Sequence, residues 1–372
     1  MKKVVFFQLE AGQSGGVSGV NRAVAKALAG AGWQVHFLFL CRAGREPSLP
    51  GVRTVVLSPR PWGLATGTEM KALLASFHPF RAAGLLMRRL GQEKNREKLY
   101  VRAKEVLREI DPDRIVTSHY LVLPGVPEEL LPRTIHHVHT SFAATKNQAD
   151  NFKTISSYKD RIRFLWLSAA IRDKAVSEGF SRSSYLMNPV PFTAPRTRVE
   201  EKRKVVVVSR FSPEKRLPLM VELLKKTLPL HWRAEFWGDG EEKEAIRAAI
   251  DGDNRFALRG VTGDPKAVFA TAAFTVNTSL YEGVPLTILE AAACGVPTLS
   301  FRFGEAADEI IRDGETGVLI DQDDLVSMED ALRVLFTSPG WRKTLSMAAH
   351  EAARGFALEK VKEDWLALLE EE

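Results

Sequence analysis

The chain has 372 residues, 45% of them hydrophobic and 26% charged. That is too long for one ordinary core and too apolar for a disordered or low-complexity protein, so two soluble domains are expected. The net charge of +6 is unevenly spread, with 28 Lys and Arg against 15 Asp and Glu in residues 1–190 and 24 against 31 in the rest. A basic half suits an anionic membrane, an anionic acceptor polymer or nucleic acid, and equally a plain solvated surface.

The opening MKKVVFFQLEAGQSGG carries two lysines and a short apolar run. At about five residues the run falls short of the roughly seven of a signal core, so it predicts a first buried strand. No stretch approaches the roughly 18 apolar residues of a membrane-spanning helix. The two cysteines, Cys41 in FLFLCRAG and Cys294 in EAAACGVP, sit at a strand end and a helix end. They form no disulfide framework and suit a reducing cytoplasm.

After KVVFFQL come the helical pattern GVNRAVAKALAGAG and further strand candidates WQVHFLFL, RTVVL, RIVTS, TIHHVH and RFLWLS. A long helical region spans 66–110. Strands alternating with helices predict a parallel sheet covered on both faces. SYLMNPVPFTAPRTRVEEKRK, with three prolines and a charge run, reads as an interdomain linker. The alternation restarts with KVVVVSR, a helix over 217–227, RAEFWG, a helix over 241–250, RFALRG, FTVNT, the helix of EGVPLTILEAAACG, and PTLSF. The helical tail breaks near Gly355, and its apolar positions Phe356, Val361, Trp365 and Leu368 need a groove, naturally supplied by packing back onto the first domain. The expected domains are 1–190, 191–350 and the crossing helix 351–372, an α/β architecture of two Rossmann-like, doubly wound parallel sheets facing a cleft. Such sheets bind ligands beyond the carboxyl ends of their strands.

Three loops carry the chemistry. QLEAGQSGGVSG runs from the first strand into a helix, and Gly15 and Gly16 let backbone approach an anion at the helix N-terminus, although no G-x-G-x-x-G is present. VVVVSRFSPEKRL places Arg210 and Lys215 at the carboxyl edge of a buried strand, a pair suited to a diphosphate or simply to solvent. LYEGVPLTILEAAACGVP holds Glu282 before a helix and Glu290 inside it, in an otherwise apolar run where an unpartnered charge would be costly. Pro285 fits the first turn and Gly295 the end.

EGVPLTILE, taken with SRFSPEK, WGDGEE, EAAACGVP and IIRDGETGVLI, resembles the retaining GT-B glycosyltransferases of family 4. The resemblance extends through GG at 15 and 16 and HTSF at 139–142. It implies that Arg210 and Lys215, with the Gly16 backbone, bind the donor diphosphate. It assigns Glu290 to ribose hydroxyls, Glu282 and His139 to the donor sugar and reaction centre, and the Gly283, Val284, Pro285 and Leu286 backbone to sugar and phosphate. His119, after RIVTS, and Arg22, with Asn21, are the acceptor-binding candidates. Arg216 stands where the family often has glycine, and Gly19 where many members have arginine.

The implied reaction moves a hexose from a nucleotide diphosphate sugar, UDP-sugar favoured, to a hydroxyl of a cell-envelope or polysaccharide acceptor, with retention and no metal or other cofactor. The segment 152–181 is similar to the branch that glucosylates poly(polyol phosphate), which commonly has Tyr-Gly-Pro where this chain has Phe303-Gly304-Glu305. A polyanionic acceptor would suit the basic half; so would docking at the inner face of a membrane, through FRAAGLLMRRLGQEKNREK, to reach a lipid-linked acceptor. The DPD, DGD and DQD triplets at 111, 251 and 321 read as turn chemistry. A zinc site at His136, His137 and His139 is disfavoured, because strand alternation points the first two to opposite faces. The alternative is a non-catalytic nucleotide- or nucleic-acid-binding protein, against which stands the lack of any helix-turn-helix, zinc-finger or aromatic RNA-binding pattern.

Overall fold

The computed structural model describes residues 1–12, 15–59 and 79–371. The chain divides into two compact units. The first comprises 1–138, 150–165 and 180–183; the second takes 139–149 and 166–179 together with 184–372.

The first unit is built on a seven-stranded sheet. Its strands are β1 (Lys3–Ala11), β2 (Gln34–Arg42), β3 (Val52–Val56), β4 (Arg114–Thr117), β5 (Thr134–His137), β6 (Arg163–Trp166) and β7 (Ser183–Tyr185), in the order β3-β2-β1-β4-β5-β6-β7. Lys3 to Ala11 pairs in parallel with β2 and, through Val4 to Phe7, with β4. Val4 to Phe7 are wholly buried, the unbroken apolar run of a strand covered on both faces. Helix α1 (Gly16–Gly30) turns Val20, Asn21, Val24, Ala25 and Leu28 inward at helical spacing. Helix α2 (Pro79–Ile110) supplies the long helix expected from the sequence. The proposed membrane-contact side chains of that helix up to residue 94, and the whole of 60–78, lie outside the described residues.

Three short helices follow β5 and β6: α3 (Phe142–Asn147), α4 (Ala149–Ser156) and α5 (Ala169–Ser177). The N-terminus of α5 is capped twice. Ser168 Oγ accepts from Ile171 N at 3.2 Å, and the Glu309 carboxylate accepts from Ala169 N at 3.1 Å and Ala170 N at 2.5 Å. A carboxylate at this position satisfies orphan N–H groups and meets the positive end of the helix dipole.

The linker carries no regular element between Leu186 and Arg198 beyond a bridge from Val190 to Ala357. Beyond it, β8 (Lys204–Val208) leads to α6 (Leu217–Thr227), β9 (Arg233–Trp237), α7 (Lys243–Ile250), β10 (Phe256–Gly260), α8 (Pro265–Phe269) and β11 (Thr275–Asn277). Helix α9 (Leu286–Ala293), β12 (Thr298–Phe301), α10 (Ala307–Ile310) and β13 (Gly317–Ile320) complete the alternation. The sheets β10-β9-β8 and β11-β12-β13 meet through the parallel bridge Val205 to Phe274, giving a run of order β10-β9-β8-β11-β12-β13. Chain direction across the sheet therefore reverses between β8 and β11.

Aromatic packing holds this unit: Trp232 meets Phe336 edge-on at 4.8 Å and Phe274 at 5.9 Å, with all three buried. Each such ring contributes about 2–3 kcal/mol by burial. Arg342, 3% exposed, lies over Trp232 and donates to the Leu335 carbonyl at 2.5 Å. The tail forms α11 (Leu325–Thr337), α12 (Pro339–Ala352) and α13 (Leu358–Glu370), broken by a 3-10 turn at Ala353–Phe356. Val361, Trp365, Leu368 and Leu369 form the buried stripe of α13, and this helix clusters with the second unit. Strands β7 and β13 were not expected from the sequence: SSY is too short and GVLI follows a turn-rich run.

Candidate active site

In the second unit, the loops after β8 and β11 leave the sheet on either side of its topological switch point, where doubly wound folds take their ligands. Lys215 ends the 3-10 turn Pro213–Lys215 after β8, and Glu282 follows β11. Lys215 Nζ donates to Glu282 Oε1, with the two side chains 14% and 15% exposed. Ser279 Oγ lies 2.8 Å from the same carboxylate oxygen and 2.7 Å from Asn277 Oδ1, so one proton serves two acceptors. Asn277 Nδ2 in turn donates to Ser300 Oγ at 3.0 Å. Lys215, Asn277, Glu282 and Thr287 line a small cavity with Ser209.

Hydrogen bonds onto the backbone of both loops, and one glycine, fix this pair. Leu280 N donates to the Glu214 carbonyl at 2.8 Å, and Thr278 Oγ1 donates to the Lys215 carbonyl at 2.8 Å, tying the β11 loop to the β8 loop. Gln322 Nε2 donates to the Ser279 and Arg302 carbonyls, both at 2.9 Å. Gly238 in WGDGEE is held at φ +151°, and a Cβ there would lie 1.8 Å from the Ser209 carbonyl oxygen, so the β9 loop can cross the SRF loop only as glycine.

Arg216 is left-handed at φ +53°, which explains why glycine suits that position. Its guanidinium turns to Asp323 at 2.5 Å and Gln322 at 3.2 Å and stacks over Phe301. Arg210 is 77% exposed on its side chain and, among the described residues, pairs with the Glu214 carboxylate at 3.2 Å.

Pro285 adopts extended geometry as the N-cap of α9, and no side chain caps that end. Val284 and Pro285 are buried, and Leu286 half-buried. The turn packs against the segment after β5: a Cβ on Gly283 would come 2.9 Å from Thr140 Cα and 3.0 Å from the His139 carbonyl oxygen. Glycine is thus the residue that lets His139 and Glu282 share one neighbourhood. Burial pushes the His139 imidazole down to about 3, so it is neutral at physiological pH.

Glu290 stands just over one turn along α9, with no side-chain hydrogen bond among the described residues, and burial pushes its carboxyl up to about 7. A half-buried carboxyl lacking a donor is suited to vicinal hydroxyls.

The remaining sequence candidates fall in the first unit. Gly16 is the first residue of α1, after Gly15 as N-cap. Arg22 and His119 line one cavity of about 160 Å³. Arg22 is not a free cation: its Nε donates to Glu46 Oε1 at 2.7 Å and its Nη2 to Glu46 Oε2 at 3.1 Å. His136 Nδ1 lies 2.8 Å from Thr117 Oγ1, and its ring meets Phe164 edge-on, an interior role. The aspartate triplets occupy turns: Asp111 and Asp323 have positive φ, Asp253 pairs with Arg255 at 2.6 Å, and Asp321 with Arg302 at 2.9 Å. Among the described residues no group of three His, Cys, Asp or Glu is placed to hold a metal ion.

Ser279, Asn277, Gln322 and Glu46 were missed from the sequence. Ser279 sits in TSLYEG, three residues before Glu282, and could have been noticed; Gln322 and Glu46 lie tens of residues from their partners, with no local signal.

Two Rossmann-like units with ligand loops at their switch points define the GT-B class of glycosyltransferase fold. Anabaena HepE, solved in complex with UDP and glucose, matches with a TM-score of 0.74 at 15% identity, over 99% of both chains. More particularly, residues 202–338, within the second unit, match the family model described as glycosyl transferases group 1. The chain is 25% identical over 281 residues to an exopolysaccharide phosphotransferase of Streptomyces coelicolor, covering 73% of this chain and 30% of that protein. It is likewise 25% identical over 237 residues to the poly(glycerol-phosphate) alpha-glucosyltransferase of Bacillus subtilis, covering 62% and 32%. The chain thus spans about a third of the length of these two relatives.

Proposed function

We propose that the chain is a retaining glycosyltransferase that moves a hexose from a nucleotide diphosphate sugar, UDP-sugar favoured, to a hydroxyl of a cell-envelope or polysaccharide acceptor. The observation that carries this reading is the meeting of Lys215, Glu282 and Ser279 at the second unit's switch point, beside the uncapped N-terminus of α9. A cation, a carboxylate and free backbone N–H groups are what a sugar diphosphate requires: charge for the leaving phosphates, an acceptor for a sugar hydroxyl, and a helix end for the developing anion. The UDP-bound HepE structure and the glucosyltransferase relative support the donor class.

In this reading Lys215 leaves Glu282 for the diphosphate when donor arrives, and Arg210 swings from solvent onto the same phosphates. Glu290 accepts the ribose hydroxyls, and Gly16 presents its N–H to phosphate. Glu282 and His139 meet the transferred sugar. A neutral imidazole can donate or accept one hydrogen bond there without adding positive charge to an oxocarbenium-like centre. The cations and the helix end together take the leaving-group charge, so the reaction is proposed to proceed without metal.

No described helix is long and apolar enough to cross a membrane, and a cytoplasmic protein working at the inner membrane surface is the proposed setting. The test is release of nucleoside diphosphate from a panel of UDP, GDP and ADP sugars. Turnover of one donor, abolished in Lys215→Ala and Glu290→Ala, supports the proposal. Failure of every sugar nucleotide to bind sinks it, and salt-sensitive oligonucleotide binding without turnover would favour a nucleic-acid binder.

A further inference from the structure

The cavity of the first unit sits at that sheet's own switch point, between the ends of β1 and β4. Gln8, Ser18, Asn21, Ser118 and His119 supply its polar wall, and Phe37 and Phe39, stacked at 5.5 Å, its apolar one. Asn21 is 3% exposed. Its Nδ2 donates to Ser118 Oγ at 3.2 Å, while its buried Oδ1 has no partner among the described residues. Whichever way the amide is turned, one of its polar atoms faces Ser118 and the other is left wanting, which is destabilising unless a ligand meets it.

Ser118 Oγ also accepts from Gln8 Nε2 at 3.5 Å, so its own hydrogen is left to donate. His119 Nδ1 accepts from Leu121 N at 3.2 Å, which places the neutral ring's proton on Nε2. Donors and acceptors therefore alternate around the cavity, as paired hydroxyls demand. A phosphate would need donors and cations only.

Its one arginine is already committed. Glu46 holds Arg22 through both carboxylate oxygens and also accepts from Gly12 N at 2.6 Å, with its side chain 8% exposed. With Glu10 also in the wall, the cavity carries more acidic than basic charge although the N-terminal half is basic.

We infer that this cavity is a subsite for an uncharged, hydroxyl-rich ligand, a neutral sugar unit of the acceptor, and that Glu46 sets its specificity by withholding Arg22 from phosphate. The acceptor assignment rests on the transferase reading; the preference for a neutral sugar does not.

Isothermal titration of the full chain, without nucleotide and at fixed ionic strength, tests it with glucose, N-acetylglucosamine and glycerol 3-phosphate. At least one neutral sugar should bind about tenfold more tightly than glycerol 3-phosphate, and Glu46→Gln should raise the affinity for glycerol 3-phosphate about tenfold by freeing the guanidinium. Asn21→Ala should lose sugar binding. Should that variant fail to fold, Val17→Trp, at a 38% exposed position on the rim, should block the cavity without touching the core. Equal or tighter binding of glycerol 3-phosphate by the parent chain, absence of any sugar binding, or sugar binding that survives Val17→Trp would each overturn the inference. Absence of sugar binding by the parent chain with its Lys215-dependent donor turnover intact refutes this inference alone; sugar binding without turnover of any donor refutes the transferase reading alone.

Discussion

Both units set a cation against a carboxylate at the switch point of a parallel sheet, but the two pairs are built differently. Arg22 and Glu46 form a fork, two parallel contacts reinforced by the Gly12 amide. Lys215 meets Glu282 through one point charge on a four-carbon stem, and Ser279 Oγ contacts the same carboxylate oxygen at 2.8 Å. A planar fork resists exchange, whereas an ammonium can trade one anion for another by rotating its stem. One pair subtracts charge from its cavity; in the proposed reaction the other gives up its cation to phosphate.

The largest effect expected from this contrast is catalytic. Lys215→Ala should lower the rate of nucleoside diphosphate release about 10²–10³-fold, the usual loss when a leaving-group donor is removed, while shifting the melting temperature little. Arg22→Ala should do the reverse. It leaves Glu46 buried without its counter-charge and should cost about 3 kcal/mol in urea unfolding, with UDP affinity unchanged. Equal melting losses in both variants would erase the distinction.

Next in size is the titration of Glu290. Its carboxyl is raised by burial from 4.5 to about 7, so the folded chain keeps a proton that the unfolded chain has released. Stability should therefore fall as pH rises from 4.5 to about 7 and level off above it, and Glu290→Gln should remove that slope, gaining on the order of 2 kcal/mol at pH 8. Urea midpoints at pH 5 and pH 8 measure it; parallel curves for both proteins would contradict the assigned environment. Gly283→Ala, forced against the Thr140 backbone, should cost about 1–3 kcal/mol and impair turnover together. Smallest is Arg216. Arg216→Gly exchanges an exposed ion pair for relief of left-handed strain and should be near neutral by melting, whereas Arg216→Ala keeps the strain and loses the pair, costing about 1 kcal/mol.

The alternation of apolar strands with helical runs carried the architecture, because a strand covered on both faces must read as KVVFF or KVVVV. The second-unit site was legible because its residues lie in two short loops whose turn chemistry is local: Pro213 before Lys215, and Gly283 with Pro285 after Glu282. Glu46 was not legible, since its meaning comes from Arg22, across a helix and a strand. Neither was the recruitment of 139–149 and 166–179 into the second unit, since the linker composition pointed to a single boundary near residue 190. Arg216 was seen as a departure from glycine, but its pairing with Asp323 needed the fold.

The double cap on α5 also has a consequence for synthesis. Ala169 and Ala170 reach the tunnel exit 140 and 139 residues ahead of the glutamate that accepts from their amides. At about 5–20 residues per second the interval is on the order of ten seconds, during which the nascent helix has only Ser168 to hold its first turn and the other two amides remain on water.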